Sequence, residues 1–334
     1  MAESDISRLG QNLATGDDNA LFLKTFAGEI LATFQESNKF MPLITSRTIS
    51  TGKSAVMPVI GTAAAKWHTA GESVITGADA DSAAYLSQIK VAEREIFIDD
   101  VLVSSVLVGD LDQMKSHWDY RSPYADAIAR ALAKEADEHI LASVYAGSLA
   151  TANIPGVTAN GAGVTKTGGA TSADNLIEAA FTAAETFDSN DVPREDRYLA
   201  VGPQMYYKLV QDKDLVDRDF STANGDFAGG SVMKVAGMTI VQTNNMPTTD
   251  LSAATDSGAK NDPFGTAGIG YNANWSDVTA LAFHKSAVGC VKMADLSVAS
   301  EYQLERLSHL LLAKYAMGHN YLRPEACFYI KQTA

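Results

Sequence analysis

Cysteine is almost missing: Cys290 and Cys327 are the only two in a chain of 334 residues. Two thiols cannot build a disulfide framework, and no Cys/His cluster has metal-ligand spacing, so a packed core must hold the fold and a reducing cytosol is the natural compartment. Long apolar runs are absent as well. No stretch approaches the about 18 to 20 residues of a membrane span, and the start, MAESDISRLGQN, lacks the basic-then-apolar profile of a signal peptide, so no membrane partner is expected. Basic charge is the third shortage. With 26 Lys+Arg against 40 Asp+Glu the formal net charge is -14. That opposes wrapping around nucleic acid, whose affinity comes mostly from Lys and Arg displacing counterions. An acidic wall can still enclose DNA without gripping it.

The constellations that chemistry requires are also missing. Thr51-Gly52-Lys53-Ser54 holds the end of a phosphate-binding loop, but Arg47 stands where the motif needs its first glycine. A strand-like run with Pro58 follows, rather than a helix whose N-terminus could hold an anion. Gly268-Ile-Gly270-Tyr-Asn-Ala273 fits only the loosest dinucleotide pattern, and Gly229-Gly-Ser231-Val-Met233 fails the nucleophile-elbow pattern at its last position. The six histidines are scattered and no HExxH occurs. No catalytic, cofactor or metal residue is therefore assigned, and no cofactor is expected. A structural protein fits best.

What is present is an apolar, foldable chain, 46% hydrophobic and 20% charged, which can offset the cost of ordering itself. Phe22, Phe26, Ile30 and Phe34 recur every fourth residue and predict a short amphipathic helix after a polar arm. Its stripe packs either on its own domain or on a neighbouring subunit. Residues 54–60 and 86–108 read as strands, joined by a small and polar stretch of roughly 25 residues that predicts a long protruding hairpin. Trp67 lies in that stretch and gains little from water, which points to an interface contact.

Ser122-Pro123 opens the clearest helix, with Tyr124, Ile128, Leu132, Ala136, Ile140 and Val144 as its stripe and Gly147 as its expected stop. Asp126, Arg130, Lys134, Asp137 and Glu138 form the opposite face, read as solvated. A second helix carries Leu176, Ala180, Ala183 and Phe187; a strand at 198–201 and a helix at MYYKLVQD follow. One strand is expected at 235–243, and strands return at 279–293 and 307–330. Mixed elements without regular βαβ repetition argue α+β. The strands of 54–108 and those after 279 are expected in one sheet, with the middle of the chain as an insertion.

Four segments, ALFLKTFAGEIL (20–31), ISTGKSAVMPVIG (49–61), LAFHKSAVGCVKMADL (281–296) and AKYAMGHNYLRPEA (313–326), resemble the major capsid protein of T-seven-like short-tailed bacteriophages (podoviruses). The resemblance implies a Hong-Kong-97-type capsid fold with an N-terminal arm (1–52), an extended loop (53–98), a peripheral domain with a spine helix (99–148 and 278–334, the last strand free to return) and an axial domain (149–277). It implies a self-assembling virion protein whose pentamers and hexamers form an icosahedral head around double-stranded DNA. A scaffolding protein and a portal protein are the implied partners, and a precursor shell assembled in the host cytoplasm expands on packaging. Phe22, Phe26 and Phe34 of the arm, and Lys66, Trp67 and His68 of the loop, are the expected inter-subunit contacts. Two alternatives remain: an encapsulin-type nanocompartment shell, and a cytosolic nucleotide-binding enzyme using the GKS or GIGYNA segment.

Overall fold

The structure, a computed structural model, describes residues 33, 37–63, 65–68, 70–71, 74–75, 89–109, 121–155, 157–167, 172–212, 225–226, 231–232, 234–254, 258–265 and 270–333. The chain begins with strands β1 (Thr45–Thr48), β2 (Ser54–Ile60), β3 (Val91–Phe97) and β4 (Leu102–Gly109), then helix α1 (Arg121–Leu149). The middle holds β5 (Ala162–Thr167), α2 (Ala173–Ser189), β6 (Arg197–Val201) and α3 (Pro203–Gln211). Short strands β7 (Gly225–Asp226), β8 (Ser231–Val232) and β9 (Lys234–Val235) precede β10 (Met238–Gln242). The last strands are β11 (Val278–His284), β12 (Val288–Gln303), β13 (Ser308–Tyr321) and β14 (Cys327–Thr333).

These strands form two main sheets, where the sequence led us to expect one. One has four strands in the order β1-β12-β13-β4, the other six in the order β5-β14-β11-β6-β10-β9. The stretch 278–334 is thus divided: β12 and β13 lie in the first sheet, while β11 and β14 flank each other in the second beside strands of the middle region. The division has a local cause. A turn after His284 separates β11 from β12, and the Ala287 carbonyl there accepts the amides of both Leu322 and Arg323, at 2.7 and 3.3 Å. The outgoing and returning chains therefore change sheet at one point.

Helix α1 lies against strands of both sheets, including β13, β4, β14 and β11. Its 29 residues span roughly 43 Å at about 1.5 Å each. The expected stripe is buried from Ile128 onward, with Ile128, Leu132, Ala136, Ile140 and Val144 at most 3% exposed, while Tyr124 at its start is half-buried. Gly147, the expected stop, is instead inside the helix. A Cβ there would lie 2.7 Å from Cys327 Sγ and 2.9 Å from Tyr321 Cβ, so this glycine is where the helix approaches the returning strand most closely. Helix α2 begins at Ser172, whose Oγ accepts the Asn175 amide, and buries Leu176, Ala180, Ala183 and Phe187 as the sequence predicts. The strand expected at 235–243 is a tight hairpin, because Ala236 and Gly237 turn with φ of 50° and 80°.

The spine helix also departs from its expected solvated face. Asp137 is 0% exposed. Its carboxylate accepts the amides of Lys39 and Phe40 at 3.3 Å each and Nδ2 of Asn245 at 2.8 Å. Thr33 Oγ1 donates to Asp126, about three turns earlier on the same face of the helix, at 2.6 Å. The segment leading out of the N-terminal region is thereby fastened to α1 by two carboxylates.

Burial raises the Asp137 pKa to about 6, only partly offset by the hydrogen bonds from Asn245 and the two amides and by the charge of Lys39. Its folded pKa exceeds the ordinary carboxylate value, so folding favours the protonated form. The associated stability is fully present below about pH 4 and lost as pH rises through about 6, a cost on the order of 3 kcal/mol at neutral pH. Denaturant titrations of the unassembled subunit should therefore show wild type gaining stability over Asp137→Asn as pH falls from 7 to 4. Parallel profiles would mean the carboxyl does not titrate there.

Candidate inter-subunit surface

Strands β2 and β3 form a separate two-stranded ribbon, paired from Ser54 with Phe97 at its root to Ile60 with Val91 at its far end. Strict alternation gives it two faces. Ala55, Met57 and Ile96 pack with Val291 and Leu322 into a small core beneath it, while Val56, Ile60 and Val91, 41 to 61% exposed, lie on the outer face. A one-sided ribbon needs only its inner face to be apolar. The outer apolar residues are the first sign that something else covers it.

The ribbon's root is held rigidly. Asp99, just after β3, accepts the Lys260 and Asn261 amides at 2.7 and 3.2 Å, Asn261 Nδ2 at 3.1 Å and the Tyr271 hydroxyl at 2.6 Å. Asn261 in turn donates Nδ2 to the Phe97 carbonyl and accepts the Phe97 amide. Burial raises the Asp99 pKa while these bonds lower it, and burial with the nearby Asp99 charge pushes the Tyr271 phenol well up. Beside this node His319 is 1% exposed and neither ring nitrogen has a hydrogen-bond partner among the described residues. Burial lowers its pKa to about 3, which keeps the imidazole neutral. The network positions a loop; it presents no nucleophile and base to a substrate.

The expected contact residues divide by position. Phe22, Phe26 and Phe34 lie outside the described residues. Lys66, Trp67 and His68 follow one another beyond the ribbon's far end and all are exposed, Trp67 at 99%. An indole so bare is unusual for a residue that is highly buried on average. Sequence reasoning missed three further apolar sites. Leu304 and Leu307, 77% and 64% exposed, sit at the turn joining β12 to β13, and Phe181 and Tyr207 are exposed on α2 and α3. The polar run DLSVASEYQ that extends β12 to this turn disguised the first pair; a four-residue pattern hides an outward Phe181 among alanines.

The segments weighed for chemistry are placed otherwise. Ser54 of the GKS segment begins a strand, not a helix, and Gly268-Ile269 of GIGYNA lie outside the described residues. Among the described residues no group of three or more His, Cys, Asp and Glu side chains could hold a metal ion. Both cysteines are buried, and burial raises their thiol pKa values, that of Cys290 to about 12. They are not nucleophiles at neutral pH.

A spine helix between two sheets, a projecting ribbon and exposed apolar patches at several extremities define a shell-forming subunit of α+β, Hong-Kong-97-type fold. The solved capsid of the cyanophage P-SCSP1u matches with a TM-score of 0.75 and 36% identity, covering 99% of each chain. The mature capsid of bacteriophage PhiM1 shares the fold, with a TM-score of 0.68 at 19% identity over 100% of this chain and 91% of that one. The major capsid protein of Escherichia phage T7 is 31% identical over 330 residues, 94% of this chain and 92% of the relative. The Gp10A-like major capsid protein family matches residues 56–331, and the chain belongs to that family. It is a structural protein of the phage virion, not an enzyme, and the nucleotide-binding alternative has no support.

Proposed function

We propose that copies of this chain join into pentamers and hexamers that tile an icosahedral head around double-stranded DNA. A scaffolding protein directs assembly in the host cytoplasm and a portal protein occupies one vertex. In this reading residues 1–52 are an arm, 53–98 an extended loop laid on a neighbour, and the four-stranded sheet with α1 the peripheral part. The six-stranded sheet, with β11 and β14, is the axial part that meets around the symmetry axes. Phe22, Phe26 and Phe34 make the arm's contacts; Lys66, Trp67 and His68 make the loop's.

The observation that carries the proposal is the 99% exposed Trp67 beyond the end of a ribbon whose outer face also leaves Val56, Ile60 and Val91 exposed. Such a projection has no role in an isolated subunit. A contact between unlike patches repeats from copy to copy and closes into rings, and many modest contacts per copy hold a shell without any single strong bond. The net charge of -14 suits a wall that must not grip the DNA against it.

Expression with and without a scaffolding protein, followed by sedimentation and electron microscopy, tests this. Closed particles of uniform size are expected with the scaffold. A small stable oligomer under both conditions would contradict the proposal.

A further inference from the structure

A pocket of about 200 Å³ opens between helix α1 and the loop that carries Tyr271, and none of the inter-subunit contacts assigned above uses it. Glu135, Glu138 and His139, three and four residues apart, supply its polar side from one face of α1. Leu102 of β4 and Leu251 supply an apolar side, and Tyr271 and Trp275 complete the wall. The volume selects a small occupant. Sites for drug-sized ligands begin at about 300 Å³, so this one takes a fragment of a few non-hydrogen atoms.

Its buried and open parts call for different chemistry. Trp275 is 1% exposed and packs on the Tyr145 ring with centroids 5.1 Å apart, yet its Nε1 has no hydrogen-bond partner among the described residues. An indole N–H only donates, and buried donors are ordinarily paired, so the occupant must bring an acceptor. Toward solvent the demand reverses. The side chains of Glu135 and Glu138 are 49% and 22% exposed. Lys134 meets Glu138 at 3.3 Å and His139 Nε2 lies 4.0 Å from Glu135, but no Lys or Arg lines the pocket itself. The opening is therefore negative and favours a cation. The His139 and Tyr271 rings, stacked with centroids 4.2 Å apart, stand beside it and add aromatic surface that attracts an ammonium group.

We propose that this pocket binds a small amino alcohol, with its oxygen accepting the Trp275 N–H and its ammonium held by Glu135 and Glu138. The two requirements together select the class. An alkylamine lacks the acceptor, and an alcohol lacks the charge. A bare metal ion is disfavoured as well, because no group of three or more His, Cys, Asp and Glu side chains among the described residues could hold one. Binding also has a structural consequence. Tyr271 donates its hydroxyl to Asp99 at the root of the ribbon, at 2.6 Å, so an occupant bridging α1 and this wall ties the helix to that root and stabilises the folded subunit.

The test uses the unassembled full-length subunit with isotopically labelled tryptophan. The chain's three tryptophans give three indole N–H signals, and the variants Trp67→Phe and Trp118→Phe identify that of Trp275 by elimination. Propanolamine should move this signal downfield and bind at least tenfold more tightly than propylamine or propanol, which resemble it in size and each lack one group. Glu138→Gln should weaken propanolamine at least tenfold and leave propanol unchanged. Propanolamine should also raise the melting temperature of wild type more than that of Glu138→Gln. A Trp275 signal unmoved by about 10 mM propanolamine, equal affinity for the three probes, or a Glu138→Gln subunit that binds as tightly as wild type would each overturn the assignment. The subunit is unassembled throughout, so the result does not depend on the shell reading.

Discussion

Trp67→Ala is expected to abolish particle formation at concentrations where wild type assembles, while the unassembled subunit melts as before. The indole is 99% exposed in the isolated chain, so the subunit loses no packing, and surface changes of that kind usually shift stability by no more than about 0.5 kcal/mol. At an interface the same side chain is an anchor. Truncating a buried Trp hot spot costs about 2 to 4 kcal/mol per contact, and about 3 kcal/mol corresponds to roughly 150-fold in association constant. A shell repeats that loss in every copy. Sedimentation velocity on the variant, with a thermal melt of its monomer, separates the two effects. Normal particles from Trp67→Ala would remove the loop from the interface, and a large fall in melting temperature would mean that the indole packs within its own subunit.

Gly318→Ala is expected to unfold the subunit's centre rather than its surface. Gly318 lies in β13 opposite Val291, and a Cβ there would meet the Phe97 carbonyl oxygen at 1.8 Å and its carbon at 2.9 Å. Those are backbone atoms at the root of the ribbon. They cannot rotate away, because Asn261 bonds both the amide and the carbonyl of Phe97 and the Asp99 amide donates to the Met317 carbonyl at 3.3 Å. Overpacking a core typically costs 1 to 3 kcal/mol, and with a fixed backbone as the obstacle a loss of about 3 to 5 kcal/mol is expected. Gly202→Ala is the control, since its Cβ would meet nothing nearer than Met246 Cε at 3.8 Å. It should cost about 1 kcal/mol or less, as an N-cap change. Urea denaturation of the two variants checks the contrast, and equal losses would refute it.

Local pattern made part of this molecule legible. The four-residue stripe of α1 and the buried face of α2 follow from helical spacing, and Trp67 stood out because a large ring in a polar hairpin has no local partner. Asp137 did not stand out. The amides of Lys39 and Phe40 and the amide group of Asn245 that cover it come from distant parts of the chain, so its position looked like part of a wet face. Gly147 read as a helix stop because glycine commonly ends helices, yet its cause is the Cys327 and Tyr321 side chains packed against it. The two sheets could not be told from one, because apolar alternation is the same whichever sheet a strand joins.

The assembled particle offers the most direct test of the shell account. A cryo-electron microscopy reconstruction of particles grown with the scaffolding protein should show the β2–β3 ribbon of each copy reaching across a neighbour, with the Trp67 indole covered by another copy. A closed particle in which Trp67 faces solvent at every position would contradict the role of the ribbon, and a compact small oligomer in place of a closed particle would contradict the account as a whole.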